Sequence, residues 1–241
     1  MSTFDIRRED LLNNPTPRVP VCLCLDVSPS MSGRTEWGAH PSTKGVPINE
    51  LNGGVRDFYK TVKEDARSKY AAEIAVISFS GKTETVREFE SVERAEPPHL
   101  ELELKSGGTH LGEAVELGLE KVQERKTEYR KAGVEAYQPW LVLMTDGHPT
   151  DASHLTAAPK IAELVNRKKL IVIAVGIGEG ADMDTLAMFS PAYPPLKIKE
   201  AKFGEFFRLI SDSINEVSRA QPDELFEFNP KTVKGWEELL R

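Results

Sequence analysis

The chain has 241 residues, of which 39% are hydrophobic and 29% charged, and its 31 Lys and Arg against 38 Asp and Glu give a formal charge of −7. This is the composition of an ordinary globular protein, and an acidic chain without a block of cations is poorly suited to nucleic acid. No stretch reaches the roughly 18 consecutive apolar residues of a membrane span, and the first ten residues lack the apolar core of a secretion signal.

The first predicted element is a strand at Val19–Asp26, which carries the two cysteines of the chain, Cys22 and Cys24. Residues two apart on a strand share a face with Cα atoms about 6.6 Å apart, at the outer edge of disulfide geometry. No second Cys or His pair is present to complete a zinc site. We therefore interpret both as small buried hydrophobes in a reducing compartment, and we expect a cytoplasmic protein.

The following elements alternate between helices and strands. Apolar residues spaced by three and four predict helices that carry Ile48, Leu111, Ile161 and Phe203. Near-continuous apolar runs predict further strands at Glu73–Ser80, Trp140–Thr145 and Leu170–Val175, with a short one at Pro195–Lys199. The charged, alternating segment Thr83–Glu90 predicts a hairpin partner with an exposed edge. The segment around Asp182 and Asp184 shows no clear apolar helix.

This order predicts an α/β fold: a doubly wound, mostly parallel open sheet with one antiparallel edge strand and helices on both faces. We expect an N-terminal arm at residues 1–16, one domain at 17–220, and a tail at 221–241 with a short amphipathic segment around Trp236. Such sheets bind ligands at the carboxyl ends of their strands, where the strand order reverses.

Polar side chains stand where predicted strands and loops reach that edge. Asp26, Ser28 and Ser30 leave the first strand together, Thr109 precedes a helix, and Asp146 follows a later strand. Helix capping explains any one of them, but hardly three loops at once. Carboxylates and hydroxyls without Cys or His suit a hard cation, with Mg²⁺ or Mn²⁺ a better match than Ca²⁺. Two carboxylates neutralise the ion and leave it able to take an acidic ligand from outside.

These five positions resemble the metal-ion-dependent adhesion site of von Willebrand factor type A (vWA) domains, a Rossmann-like family. The resemblance is closest to the bacterial, tellurite-resistance-associated TerY-like branch, and extends from about Pro17 to Ala220. Its motifs are Leu25–Gly33, Pro47–Gly54, Gly107–Gly112, Met144–Asp151 and Ala174–Gly178. The resemblance implies that the two serines and the threonine ligate the ion, and that the two aspartates act directly or through water.

The resemblance also implies a non-enzymatic protein-binding module in a bacterial cytosolic stress-response complex. Its partner would present an acidic residue to the metal, and phosphatases or kinases of the same system are candidates. No nucleic acid or membrane partner is expected.

The sequence departs from the branch between Ser32 and Val46, where extra residues stand beside the metal rim. Trp37 and His40 in this insertion, together with His148, are candidate partner contacts, since aromatic side chains favour interface cores. An exposed loop with Trp37 packed onto the domain is an equal alternative.

Two rival functions stay open. One is a Mg²⁺-dependent phosphohydrolase with Asp26 as nucleophile, although Ser28 stands where such enzymes need a general acid. The other is a metal-independent scaffold that binds through the 32–45 loop or the C-terminal tail.

Overall fold

The computed structural model describes residues 10–32, 34–35, 38–39, 47–95, 101–198 and 202–220. The strands are β1 Val19–Asp26, β2 Arg34–Thr35, β3 Gly38–Ala39, β4 Ala72–Phe79, β5 Thr83–Ser91, β6 Trp140–Thr145, β7 Ile171–Ile177 and β8 Leu196–Ile198. The helices are α1 Pro47–Glu64, α2 Ser68–Ala71, α3 Leu111–Ala132, α4 Ser153–Asn166, α5 Met183–Phe189 and α6 Phe203–Val217. A 3₁₀ turn at Pro29–Ser32 follows β1.

Six strands form one sheet in the order β5-β4-β1-β6-β7-β8. All neighbours are parallel except β4 and β5, which pair antiparallel as a hairpin at the edge. Every residue of β1, β4, β6 and β7 is buried, which explains their near-continuous apolar sequences. The predicted fold class is therefore confirmed. From the central strand β1 the sheet extends to β4 and β5 on one side and to β6, β7 and β8 on the other, so the strand order reverses at β1.

Helices cover both faces of the sheet. One core joins α1 and α6 to alternate residues of β1 such as Val21 and Leu23, and the Phe58 and Phe207 rings meet within it at 5.5 Å. The other core joins α3, α4 and α5 to the remaining residues of β1. Cys22 and Cys24 lie in this second core as buried free thiols, as predicted.

Two of the helices differ from the sequence prediction. Helix α5 was not expected, because only Leu186 and Phe189 of its seven residues are buried and no apolar period is visible. Helix α3 also continues well past its last predicted apolar residue, Val122, to Ala132. Its second half is held by buried polar side chains, since Arg125 and Tyr129 both bond to Glu73 of β4 at 2.6 and 2.7 Å.

Residues 10–16, which the sequence assigns to an arm, contact the domain. Leu11 is buried, and the Asp10 carboxylate pairs with Arg94 at 3.2 Å. The tail at 221–241 lies outside the described residues. Within the part of the chain that is described, no helix has the length and apolarity that a membrane crossing needs.

Candidate metal centre

Three loops meet at the carboxyl edge of the sheet, where β4, β1 and β6 end side by side. Backbone hydrogen bonds hold them together: Val27 N–H donates to the Phe79 carbonyl at 2.8 Å, and Lys105 N–H donates to the Val27 carbonyl at 2.8 Å. His110 N–H donates to the Ser80 carbonyl, also at 2.8 Å. Asp26 ends β1 and Asp146 follows β6, whereas Thr109 lies in the loop before α3, which these bonds join to the end of β4.

Asp26, the last residue of β1, is fully buried. Its Oδ1 accepts a hydrogen bond from Ser28 N–H at 2.8 Å, and its Oδ2 accepts one from the Thr145 hydroxyl. Burial raises the pKa of this carboxyl above its ordinary value, although the hydrogen bonds from Ser28 and Thr145 act in the opposite direction. Both oxygens of Asp26 therefore serve to fix the turn after β1 and the end of β6.

The two serines and Asp146 form a continuous chain of oxygens. Ser28 Oγ lies 2.9 Å from Ser30 Oγ, and Ser30 Oγ donates to Asp146 Oδ1 at 2.6 Å. Ser28 is buried, Ser30 is exposed and Asp146 is partly buried. The chain therefore runs from the protein interior to the surface.

Thr109 completes the set of five. A Cβ atom added to Gly147 would lie 3.7 Å from Thr109 Oγ1 and 3.9 Å from Ser30 Oγ, so the two hydroxyls flank the same small space. Thr109 does not cap α3, because His110 occupies the N-cap position. Its backbone is instead tied to Thr150, whose Oγ1 accepts from Thr109 N–H at 2.8 Å.

Three of the five residues have oxygens spaced as ligands of a hexacoordinate divalent cation are. Oxygens that are neighbours around Mg²⁺, each about 2.1 Å from the ion, are about 3 Å apart. The separations of 2.9 and 2.6 Å among Ser28, Ser30 and Asp146 are close to that value. Among the described residues no group of three or more His, Cys, Asp or Glu side chains could hold a metal ion. Hydroxyls, backbone carbonyls or water would therefore provide part of a coordination shell here.

A fourth loop, between β7 and α5, packs against the Asp146 loop. This contact was not predicted from the sequence. A Cβ atom added to Gly180 would lie 3.1 Å from the Asp146 carbonyl oxygen. Asp182 accepts from Thr185 N–H at 3.0 Å and caps α5. Its other oxygen lies 3.1 Å from His148 Nδ1. An Asp three residues before Thr185 is a capping signal that could have revealed this helix start.

His148 is the one partner-contact candidate that the structure describes. Its side chain is 74% exposed and it stands two residues beyond Asp146 on the rim of the site. Hydrogen bonds from Thr185, followed by the contact with His148, lower the pKa of Asp182. Trp37 and His40 lie outside the described residues.

The site does not coincide with the cavity that the structure contains beside α3. A cavity of about 940 Å³ lies away from it, between Leu11, Glu88 and the outer face of α3, and none of the five site residues lines it.

The fold and the site together define a doubly wound α/β domain with a hydroxyl–carboxylate centre at the carboxyl edge of its sheet. The model of the von Willebrand factor type A domain family matches residues 21–203, and the chain belongs to this family. No curated protein sequence matches the chain.

Solved structures with the same fold come from distant organisms. Proximal thread matrix protein 1 from the mussel byssus, with a zinc-occupied MIDAS motif, is 16% identical with a TM-score of 0.53, covering 81% of this chain and 48% of its own. A von Willebrand factor type A structure from Catenulispora acidiphila is 16% identical with a TM-score of 0.57, and the match covers 82% of this chain and 43% of that one. Manganese-loaded TRAP protein of Plasmodium vivax is 17% identical with a TM-score of 0.54, and the match covers 81% of this chain and 72% of that one. The chain spans about half the length of the first structures that it matches.

Proposed function

We propose that the domain is a non-enzymatic protein-binding module whose site holds a divalent cation. Asp26, Ser28, Ser30, Thr109 and Asp146 would hold the ion, and the ion would supply a Lewis-acidic position for a carboxylate of the partner. The observation that carries the proposal is the run of three oxygens from Ser28 to Ser30 to Asp146, spaced like neighbouring ligands of one ion. Domains of the vWA family are typically interaction modules of this kind.

The exposure of the residues supports an external ligand. Asp26, Ser28 and Thr109 are 5% exposed or less, whereas Ser30 is exposed and Asp146 partly so. An ion among them would be enclosed from below and reachable from the Ser30 side. The exposed Ser30 side would admit a carboxylate from a partner's surface.

Mg²⁺ and Mn²⁺ are the cations that we propose, because all five donors are oxygens and only two carry charge. The zinc-occupied MIDAS motif of the mussel protein and the manganese-loaded state of the Plasmodium protein support a divalent ion. Ca²⁺ prefers more oxygen ligands than this set provides.

The burial of Asp26 supports the binding module over the phosphohydrolase. A nucleophilic carboxylate must reach a phosphorus atom, whereas Asp26 is 0% exposed and both its oxygens accept hydrogen bonds within the fold. Turnover of a phenyl phosphate ester that requires Mg²⁺ and is lost in Asp26→Asn would reverse this ranking.

We place the module in a bacterial cytosolic stress-response complex of the tellurite-resistance type. The support is the ordered set of motifs from Leu25 to Gly178, which resembles the TerY-like branch. A phosphatase or kinase that presents an acidic residue is the proposed partner, and His148 on the rim would contact it. The 32–45 insertion, with Trp37 and His40, would add to that contact.

Isothermal titration calorimetry with MgCl₂ and MnCl₂ tests the metal. We expect Asp146→Ala to abolish binding and Ser30→Ala to weaken it about tenfold. The matched control is Asp57→Ala, which removes an exposed aspartate of α1 and should bind as the unmodified chain does. Unchanged Mg²⁺ binding in Asp146→Ala would disprove the assignment.

Affinity capture from a lysate of the source organism, with and without EDTA, tests the partner. We expect a protein that is lost with EDTA and recovered when Mg²⁺ is restored. Capture that survives EDTA but not deletion of residues 32–45 would favour the metal-independent scaffold.

A further inference from the structure

One loop of the metal site is anchored on a buried side chain of α1. Residues 101–109, which we call the strap, form neither a helix nor a strand and end at the predicted ligand Thr109. The Asn52 side chain of α1 bonds to both backbone groups of one strap residue. Its Nδ2 donates to the Leu102 carbonyl and its Oδ1 accepts from Leu102 N–H, both at 2.9 Å. The side-chain amide thus pairs with the strap as a neighbouring strand would.

The position of Asn52 is unusual for a polar residue. It is only 7% exposed and lies on the buried face of α1, with the apolar residues Leu51 and Val55 beside it. Burial of an amide costs free energy unless its polar groups are hydrogen-bonded. The two bonds to Leu102 meet that requirement, so this side chain is suited to holding the strap rather than to filling the core.

The helix that carries this anchor is itself held in place. Two residues further along α1, a Cβ atom added to Gly54 would lie 2.7 Å from Phe207 Cδ2 and 3.1 Å from Phe203 Cβ on α6. Such close packing leaves α1 no room to move toward α6. Asn52 and Gly54 both belong to the motif Pro47–Gly54, which contains none of the five metal-site residues.

From Leu102 the strap passes over the turn that carries Asp26 and Ser28. Lys105 N–H donates at 2.8 Å to the carbonyl of Val27, the residue between them. Val27 is fully buried, and its own N–H is bonded to the end of β4. The strap therefore holds the piece of backbone from which two of the predicted ligands project.

The remainder of the strap is closely packed up to Thr109. A Cβ atom added to Gly107, which has φ 110°, would lie 2.7 Å from Gly81 Cα. One added to Gly108 would overlap the Thr150 side chain. The strap backbone thus lies directly against the turn after β4 and the loop after β6. Because no side chain separates these segments, a displacement of the strap would displace the Thr109 hydroxyl.

We propose that Asn52 is a positioning residue for the metal site and acts through the strap. By holding Leu102, it keeps the Lys105 amide on the turn after β1. The close packing that follows then sets the position of the Thr109 hydroxyl. The inference rests on the proposed function, because affinity for the ion is the property that it explains. Replacing a residue that orients the ligands of a metal commonly weakens metal binding by about 10–100-fold.

Calorimetry with MgCl₂ on the full chain tests the effect on the ion. We expect Asn52→Ala to weaken Mg²⁺ binding about tenfold. The matched control is Val62→Ala, which truncates another buried residue of α1, about 15 Å further along the helix. The control should lower Tm and leave the Mg²⁺ affinity unchanged, which separates positioning from a general loss of stability. An unchanged affinity in Asn52→Ala, or equal weakening in Val62→Ala, would overturn the proposal.

Hydrogen exchange of the metal-free protein tests the strap directly. The Lys105 amide is bonded to the Val27 carbonyl and the Thr109 amide to the Thr150 hydroxyl. Because loop amides exchange through local opening, we expect both to exchange about tenfold faster in Asn52→Ala and at unchanged rates in Val62→Ala.

Faster exchange confined to Leu102 would mean that Asn52 only satisfies the backbone of that residue, and the proposal would fail. If the unmodified chain binds neither Mg²⁺ nor Mn²⁺, the metal assignment fails instead. The exchange rates of Lys105 and Thr109 then decide by themselves whether Asn52 holds the strap.

Discussion

The hydroxyl of Ser30 donates a hydrogen bond of 2.6 Å to Oδ1 of Asp146, although the two residues are 116 positions apart in the chain. Their contact depends on β1 and β6 being parallel neighbours, with Leu25 opposite Met144 in the register. The two loops that follow these strands therefore start side by side. The arrangement of the site is a direct product of the strand order.

We predict that Thr150→Ala weakens Mg²⁺ binding about tenfold while the fold is retained. The Thr150 hydroxyl accepts from Thr109 N–H at 2.8 Å, so its loss frees the loop that positions the Thr109 hydroxyl. Calorimetry measures the affinity. The control is Thr156→Ala, since the Thr156 hydroxyl bonds only to the Ser153 carbonyl in the first turn of α4. An unchanged affinity in Thr150→Ala would mean that the Thr109 loop does not need this hydrogen bond to position the Thr109 hydroxyl.

Gly118→Ala should lower the free energy of unfolding by about 1–3 kcal/mol. The added Cβ would lie 2.7 Å from Leu141 Cδ1 and 3.1 Å from Cys24 Sγ, within the core between α3 and the sheet. Urea denaturation measures the change. Gly204→Ala on α6 is the matched control, because its Cβ meets no atom of the described residues within 4 Å, and it should leave stability unchanged or raise it by up to about 1 kcal/mol.

We predict that Glu73→Gln lowers the free energy of unfolding by about 3–5 kcal/mol. Glu73 is fully buried and accepts from Arg18 Nε at 2.9 Å and from Arg125 Nε at 2.6 Å. Without its charge, two buried guanidinium groups lose their shared counterion. In contrast, Glu116→Gln breaks the exposed pair with Lys160 and should change stability by less than about 0.5 kcal/mol in the same denaturation experiment. Similar losses of unfolding free energy in Glu73→Gln and Glu116→Gln would show that the burial of Glu73 does not determine the size of the effect.

Asp65→Ala should lower the free energy of unfolding by about 1 kcal/mol at pH 7, with an effect that disappears in acid. Asp65 Oδ1 accepts from Ser68 N–H at 2.8 Å and from Arg67 N–H at 3.1 Å. These bonds, chiefly the one from Ser68, lower the pKa of Asp65 below its ordinary value of 3.8. The ionised form thus stabilises the fold fully above pH 3.8, and this contribution is lost as the pH falls below that value.

Urea denaturation of the unmodified chain and of Asp65→Ala, repeated from pH 7 down to pH 3, measures this difference. We expect a constant gap down to about pH 5 and a shrinking one below pH 4. A gap that widens in acid would mean that the protonated carboxyl, not the carboxylate, stabilises the turn.

The sheet could be predicted because its strands are short apolar runs, and β6 begins and ends at the predicted residues, Trp140 and Thr145. The five site residues could be chosen because helix capping hardly explains acids and hydroxyls in three loops at once, and because their pattern resembles the vWA adhesion site. That they bind metal remains a prediction. The contacts of Trp37 and His40 stay predictions too.

Other features leave no periodic signal. Helix α5 is too short to show an apolar repeat, and its start depends on Asp182 bonding to Thr185. The second half of α3 looks like a solvated charged face in sequence, since the burial of Arg125 becomes visible only when Glu73 is placed opposite it. Lys168 gives no sign in sequence that its backbone is left-handed.

Cys22 and Cys24 are the two thiols of the chain, and both are 0% exposed beneath α3. A maleimide or disulfide reagent will therefore react with the native protein only when the sheet opens, so its reaction rate reports the frequency of that opening. The surface is naturally free of thiols. A cysteine introduced at exposed Ser106, beside the metal loops, would carry a fluorophore alone and make docking of a partner directly observable.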